Sequence, residues 1–378
     1  MGCFSCFSSR KSKAKKKNAP MDRISPSLPP PARVAKNSPL DVSNNKAEAV
    51  AVEAGISNGA KAFNFRELAT ATKNFRQECL LGEGEIGRIY KGTLQSTGQI
   101  MAVRQLDRAG TQGSKEFQAE VVTLSQLHHP NLIQIIGYCA DGEQRLVVYE
   151  YLPSGCLEQH LFGISDGKRP LDWAARMKIA FGVAQGLEFL HEKADPPIIY
   201  RDLKASNILL DEHNNPKLSE YGLAKLLQGG SNPNVSPRVV SSYGYCAPEY
   251  ERHGVVSVKA DVYSFGVILL ELITGRRAFD SERPTEEQTL ANWVQPFLRN
   301  PKRFPEMADP LLGNEYPLTS LNQAIGVASM CIQEEPSVRP LITDAVAALS
   351  FLAMAPPESP VPPHLVPMLS SKMDQNSL

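Results

Sequence analysis

Apolar and polar positions divide this chain into a long patterned middle and two flanks with no sustained period. Over residues 63–75 the pattern fits a short extended piece followed by a helix. Arg88-Ile89-Tyr90-Lys91-Gly92 and then Ile100-Met101-Ala102-Val103 have the β-branched, alternating character of strands. Residues 115–127 instead place Phe117, Val121 and Leu124 on one helical stripe, with Glu120 beside it. Residues 146–152 predict a buried strand that runs into a turn at Pro153-Ser154-Gly155. Beyond that turn helical periods dominate, over residues 171–191, 261–274, 290–298, 322–332 and 342–352. Strands first and helices afterwards fit the α+β class.

Composition changes this picture mainly at the ends. The chain has 378 residues, a length for two or three structural units. Lys plus Arg and Asp plus Glu both number 40, which gives no overall bias toward nucleic acid, and none is expected as a partner. The basic charge is concentrated early, at Arg10, Lys11, Lys13, Lys15, Lys16 and Lys17. Just before it, Gly2 offers a myristoylation position and Cys3 and Cys6 offer palmitoylation positions, although the pattern asks for Ser or Thr where Cys6 stands. One acyl chain binds a bilayer only marginally, and each basic side chain near an anionic leaflet adds about 1 kcal/mol. Residues 1–60 are therefore expected to be a disordered, acylated, polybasic tether to an anionic membrane surface. Residues 353–378, rich in Pro, form a second segment expected to be disordered. Seven Cys without metal-ligand spacing fit a reducing compartment. The most apolar run, residues 262–273, is broken by Ser264 and Glu271 and is too short to span a bilayer.

Two motifs carry candidate chemistry. Gly82, Gly84 and Gly87 form G-x-G-x-x-G, which dinucleotide folds also use. Here a strand rather than a helix follows, so the glycines suit a hairpin whose backbone lies over phosphates. Asp202-x-Lys204-x-x-Asn207, with a second carboxylate at Glu220, supplies the parts of a phosphoryl-transfer loop. One carboxylate orients a hydroxyl, an amine neutralises phosphate, and an amide with a carboxylate holds magnesium.

These motifs, together with Tyr200-Arg201-Asp202, Ala247-Pro248-Glu249, the run from Asp261 to Gly266, and Arg339, carry a family resemblance. Over about residues 63–352 the sequence resembles eukaryotic protein kinases. More narrowly it is similar to plant receptor-like cytoplasmic kinases of subfamily VII, the AvrPphB-susceptible kinase group, and shares their Gly-Cys-Phe-Ser-Cys start. The resemblance implies a two-lobed kinase fold with the N-lobe and hinge over 61–152 and the C-lobe over 153–352. It implies ATP and Mg²⁺ as cofactors, Asp202 accepting the substrate hydroxyl proton, Lys204 on the transferred phosphoryl group, and Asn207 with Glu220 on magnesium. Tyr149 is expected behind the adenine, with Glu150 to Leu152 as the hinge. Arg201 is expected to grip a phosphorylated activation-segment residue, for which Ser231, Ser236 and Ser241 are candidates. Glu249 and Arg339 are expected to form a buried ion pair, and Asp261 to cap the catalytic loop. Implied partners are receptor kinases at the plasma membrane and, for an active enzyme, protein substrates in immune signalling.

Two departures fall on residues that handle nucleotide charge. Arg104 stands where the family has Lys, beside an expected partner at Glu120, and its planar fork differs from an ammonium in reach and partner geometry. Glu220-Tyr221-Gly222 stands for Asp-Phe-Gly, one methylene longer at a metal that demands near-octahedral geometry. A shift of roughly 1 Å in a reacting constellation costs about 10²-fold, so two independent losses cost about 10⁴-fold. Smaller departures are Glu85-Ile86 at the glycine-loop tip, Pro237 in the activation segment and Ser242. The sequence thus predicts a membrane-tethered serine/threonine kinase fold with impaired catalysis, the alternative being an active enzyme of low rate.

Overall fold

Residues 60–84, 87–106, 114–164, 167, 169–219 and 243–353 are described by the computed structural model. Gly2, Cys3, Cys6, Glu220, Ser231, Ser236 and Ser241 lie outside them, as does the side chain of Glu120.

The described chain opens on a two-residue strand, β1 (Lys61–Ala62), and a helix, α1 (Phe65–Ala71). Asn64 starts α1 by accepting the Glu67 N–H at 2.8 Å, an N-cap that satisfies one orphan donor. Strands β2 (Leu80–Gly84), β3 (Gly87–Thr93) and β4 (Ile100–Leu106) follow, then helix α2 (Ser114–Ser125) and strands β5 (Ile135–Cys139) and β6 (Leu146–Glu150). They form one sheet in the order β1-β5-β6-β4-β3-β2, antiparallel except where β1 joins β5. One face buries Met101, Val103, Leu146 and Val148 under Phe63 and Leu68 of the lead-in segment. Val147 and Leu106 belong instead to the larger core shared with the predicted α2 stripe, Phe117, Val121 and Leu124.

The rest is helical apart from one small hairpin. In order come α3 (Leu157–Phe162), α4 (Trp173–Glu188), strands β7 (Ile208–Leu210) and β8 (Pro216–Leu218), and α5 (Pro248–His253). Then follow α6 (Val258–Thr274), α7 (Leu290–Trp293), α8 (Gln295–Leu298), α9 (Leu318–Cys331) and α10 (Ile342–Ala353). Helix α6 is buried from Asp261 to Thr274, as its nearly unbroken apolar run requires. It begins earlier than expected because Ser257 caps it, and it ends at Gly275 with φ of 63°. A Cβ at Gly275 would also collide with the Asp309 carboxylate, so glycine is needed on both counts. That carboxylate meets Arg176 at 2.7 Å, and Arg176 donates further to Leu171 O and Leu272 O. The buried trio ties α4, α6 and the 309 loop together.

The single helix expected over 290–298 is two short ones meeting at Val294. Pro296 lies in the first turn of the second, where its missing N–H costs nothing. Likewise α4 stops at Glu188, and a wider turn carries the chain over Phe189–Lys193. The two lobes are laced by backbone: Leu218 N donates to Asn131 O and Ile133 N to Leu218 O, while the Asn131 amide donates to Pro216 O. Among the described residues no helix is long and apolar enough to cross a membrane.

Candidate active site

The candidate catalytic loop is built around a strained residue. Arg201 has φ of 73°, a left-handed conformation that costs a side chain of this size about 1 kcal/mol or more. Asp261, projecting from α6, holds it there. One carboxylate oxygen accepts Tyr200 N at 2.7 Å and the other accepts Arg201 N at 2.8 Å, while His191 Nε2 meets the first at 2.7 Å. Hydrogen bonds to an ionised group contribute roughly 1.5–3 kcal/mol each, which outweighs the strain. Asp261 is the residue expected from the sequence to cap this loop.

Three side chains converge just beyond. Lys204 Nζ lies 2.9 Å from Asp202 Oδ2, and the Asn207 amide donates to Asp202 O at 2.9 Å and to Asp202 Oδ2 at 3.1 Å. A short 3₁₀ turn, Ala205–Asn207, brings the amide back toward the carboxylate. Asn207 O then accepts both Ser219 N at 3.0 Å and Ser219 Oγ at 2.9 Å, and the Tyr200 hydroxyl donates to Ser219 O. The residue before Glu220 is thus pinned against the loop.

In the other lobe, Gly84 and Gly87 face each other at the end of the β2–β3 hairpin. Gly87 has φ of 121°, and a Cβ there would collide with Gln105 O. Gly82 is different: among the described residues a Cβ there would meet nothing within 4 Å. Arg104 sits on β4 opposite Ile89 and Val147 and is 2% exposed. Glu150 ends β6, but its carboxylate is committed elsewhere, accepting Gln134 N at 2.8 Å and pairing with Lys217 Nζ at 2.9 Å. Contact with an adenine from this residue would therefore use main chain, as it would from half-buried Leu152. Tyr149 is buried.

An ion pair closes the frame, its arginine buried and its glutamate partly exposed. Arg339 donates to both oxygens of Glu249 at 2.7 Å and also to Gln333 O, Lys259 O and Glu334 O. All its donor nitrogens have protein acceptors.

The protein kinase domain matches residues 75–350. The chain belongs to the protein kinase family. It is 55% identical over 374 residues to receptor-like kinase LIP2 of Arabidopsis thaliana, covering 98% of this chain and 65% of that protein. It is 57% identical over 355 residues to the probable serine/threonine-protein kinase PBL25 of the same plant, covering 93% and 90% respectively. With serine/threonine-protein kinase PBS1 it shares 53% over 364 residues, 93% of this chain and 80% of that protein. These relatives place this kinase among the receptor-like cytoplasmic kinases of subfamily VII. The chain spans just under two thirds of the length of LIP2.

Two features of this kinase site escaped the sequence reading. The Lys217–Glu150 link between β8 and the hinge joins residues 67 positions apart, with no local signal. The other is Glu271, fully buried on α6, which accepts the Tyr245 hydroxyl at 2.9 and 3.0 Å and Ala278 N at 2.8 Å. Burial pushes its carboxyl up to about 8, against which the Ala278 and Tyr245 hydrogen bonds act only in part. Tyr245 in turn lies 3.5 Å from the catalytic-loop amide of Ala205. The one signal for it was a lone charge in an apolar run.

Proposed function

We propose that this kinase is a membrane-tethered signalling protein whose phosphoryl transfer is impaired, acting chiefly as a kinase-fold scaffold beneath cell-surface receptors. The observation that carries the reading is the paired change at Arg104 and Glu220. Lysine at the first position supplies a compact charge to nucleotide phosphates; Arg104 instead buries a planar fork in β4. Glu220 stands where the resemblance implies a metal-binding Asp, keeping the charge and adding a methylene.

ATP with magnesium would be held by Gly82, Gly84 and Gly87 over the phosphates, by the hinge backbone from Glu150 to Leu152, and by Asn207 with Glu220 at the metal. The Asp202–Lys204–Asn207 geometry suits that ligand. The nucleotide would supply the phosphoryl group; this chain would supply Asp202 as proton acceptor and Lys204 as the cation beside it. Receptor kinases are the proposed partners, with Gly2, Cys3, Cys6 and the basic run as the anchor to the cytoplasmic face of the plasma membrane. Immune signalling is the proposed setting.

The convergence of Asp202, Lys204 and Asn207 favours a second reading, an active serine/threonine kinase of low rate. Purified full-length protein with labelled ATP and Mg²⁺ or Mn²⁺ separates the two. Phosphate incorporation that Asp202→Asn abolishes would overturn the impaired reading. Silence in the parent, with incorporation restored by Arg104→Lys plus Glu220→Asp, would support it.

A further inference from the structure

Residues 60–74 precede the span matched to protein kinases, and neither reading of the site uses them. We infer that this lead-in segment is a positioning strap for helix α2, fastened at Ser125. Ala60 N donates to Ser125 Oγ at 3.1 Å across 65 residues of sequence, and Ser125, the last residue of α2, is buried. The next two residues form β1, with Lys61 opposite Gly137 and Ala62 opposite Tyr138. Phe63 N donates to Tyr138 O at 2.8 Å, and its buried ring lies over Gly137. A Cβ at Gly137 would come within 2.6 Å of that ring and would collide with Lys61 O, so the glycine is the seat of the strap. Phe65 N then donates to Asp141 Oδ2 at 2.6 Å, and α1 seals the outer face of the sheet.

The fastening point is held from its other side as well. The Gln134 amide donates to Ser125 O at 3.3 Å, and Gln134 N donates to the hinge carboxylate of Glu150, which Lys217 also meets. The last turn of α2 therefore lies between the strap and the hinge. Glu120, the expected partner of Arg104, is five residues upstream, roughly 7.5 Å along the helix axis. A docked strap fixes the end of the helix that carries it; an undocked one leaves α2 held by the hinge side and its buried stripe. The inference rests on these contacts and stands whether or not the chain transfers phosphate.

Hydrogen exchange on the full-length protein tests it. Gly137→Val fills the seat and displaces Phe63. The expected result is about tenfold faster exchange at the amides of residues 117–127 together with 61–63, with the α6 amides unchanged. A merely structural loss would raise exchange in both lobes, so α6 is the internal control. Ala60→Pro removes the one N–H donor without touching α2 and is expected to speed exchange at residues 121–127 about threefold. Release of residues 61–63 in Gly137→Val with no change in α2 would overturn the proposal. Should Gly137→Val fail to fold, the Ala60→Pro result decides alone, and unchanged exchange in the last turn of α2 overturns it.

Discussion

Two buried arginines in this molecule serve opposite ends. Arg339 lies in the C-lobe with its three nitrogens answered by protein, two of them by Glu249 and each of the three by a backbone carbonyl. Arg104 is as deeply buried, at 2% exposure each, but stands on β4 at the position where the family resemblance implies a lysine. A guanidinium takes planar, bidentate partners, and at Arg339 the Glu249 carboxylate supplies them. The difference teaches that an intact frame speaks for the fold and says little about the chemistry. Glu249, Asp261 and Arg339 are what the C-lobe needs in order to stand. On the function proposed above, Arg104 and Glu220 are the positions that phosphoryl transfer would test.

The largest effect expected from breaking this contrast is catalytic. Restoring Arg104→Lys and Glu220→Asp together should raise phosphate incorporation by up to about 10⁴-fold, and each alone by about 10²-fold. A gain below tenfold in the double variant would remove the contrast. On the frame side, Glu249→Ala should lower stability by about 3 kcal/mol in urea unfolding. That figure takes the low end for a broken buried pair because three carbonyls still hold Arg339. A loss under 1 kcal/mol would mean the frame is not set by this pair.

Glu271 sharpens the comparison through pH. Its carboxyl ionises at about 8 in the folded protein against an ordinary 4.5, so between these values the folded chain keeps a proton that the unfolded chain has released. That contribution is whole below about pH 4.5 and is lost as pH rises through about 8, at up to about 1.4 kcal/mol per unit. Glu271→Gln, which keeps an acceptor for Ala278 N and a group that can face Tyr245, should flatten this slope. An unchanged slope between pH 6 and 8 would show that the proton is held elsewhere. The smallest effect is expected at Lys217→Met. The Lys217–Glu150 pair is partly exposed, so its loss should cost less than about 1 kcal/mol in the same unfolding assay.

Legibility followed the distance over which each feature is encoded. Phe117, Val121 and Leu124 recur at helical spacing, and all three are buried against the sheet. Asp202, Lys204 and Asn207 lie within six residues, and a single short turn brings them together. Strand β5 went unread because Gly137 interrupts its apolar run, and α3 because six residues are too few to show a period. The break at Val294 was signalled by Pro296, yet the apolar spacing on either side suggested one helix. The Arg176–Asp309 pair, 133 residues apart, has no local signature at all. Burial of Glu271 was similarly hidden, since a charge in an apolar run reads first as an interruption.

The outer layer made by α1 bears on how the protein should be handled. Cutting the chain at Phe75, where the match to the kinase domain begins, would strip that layer away. Met101, Val103, Cys139, Leu146 and Val148, now wholly buried beneath it, would lose their cover together. A contiguous apolar patch on an open sheet face promotes self-association. Recombinant versions of this kinase that begin at the family boundary should therefore precipitate or form soluble aggregates, whereas those retaining Ala60 onward should remain dispersed.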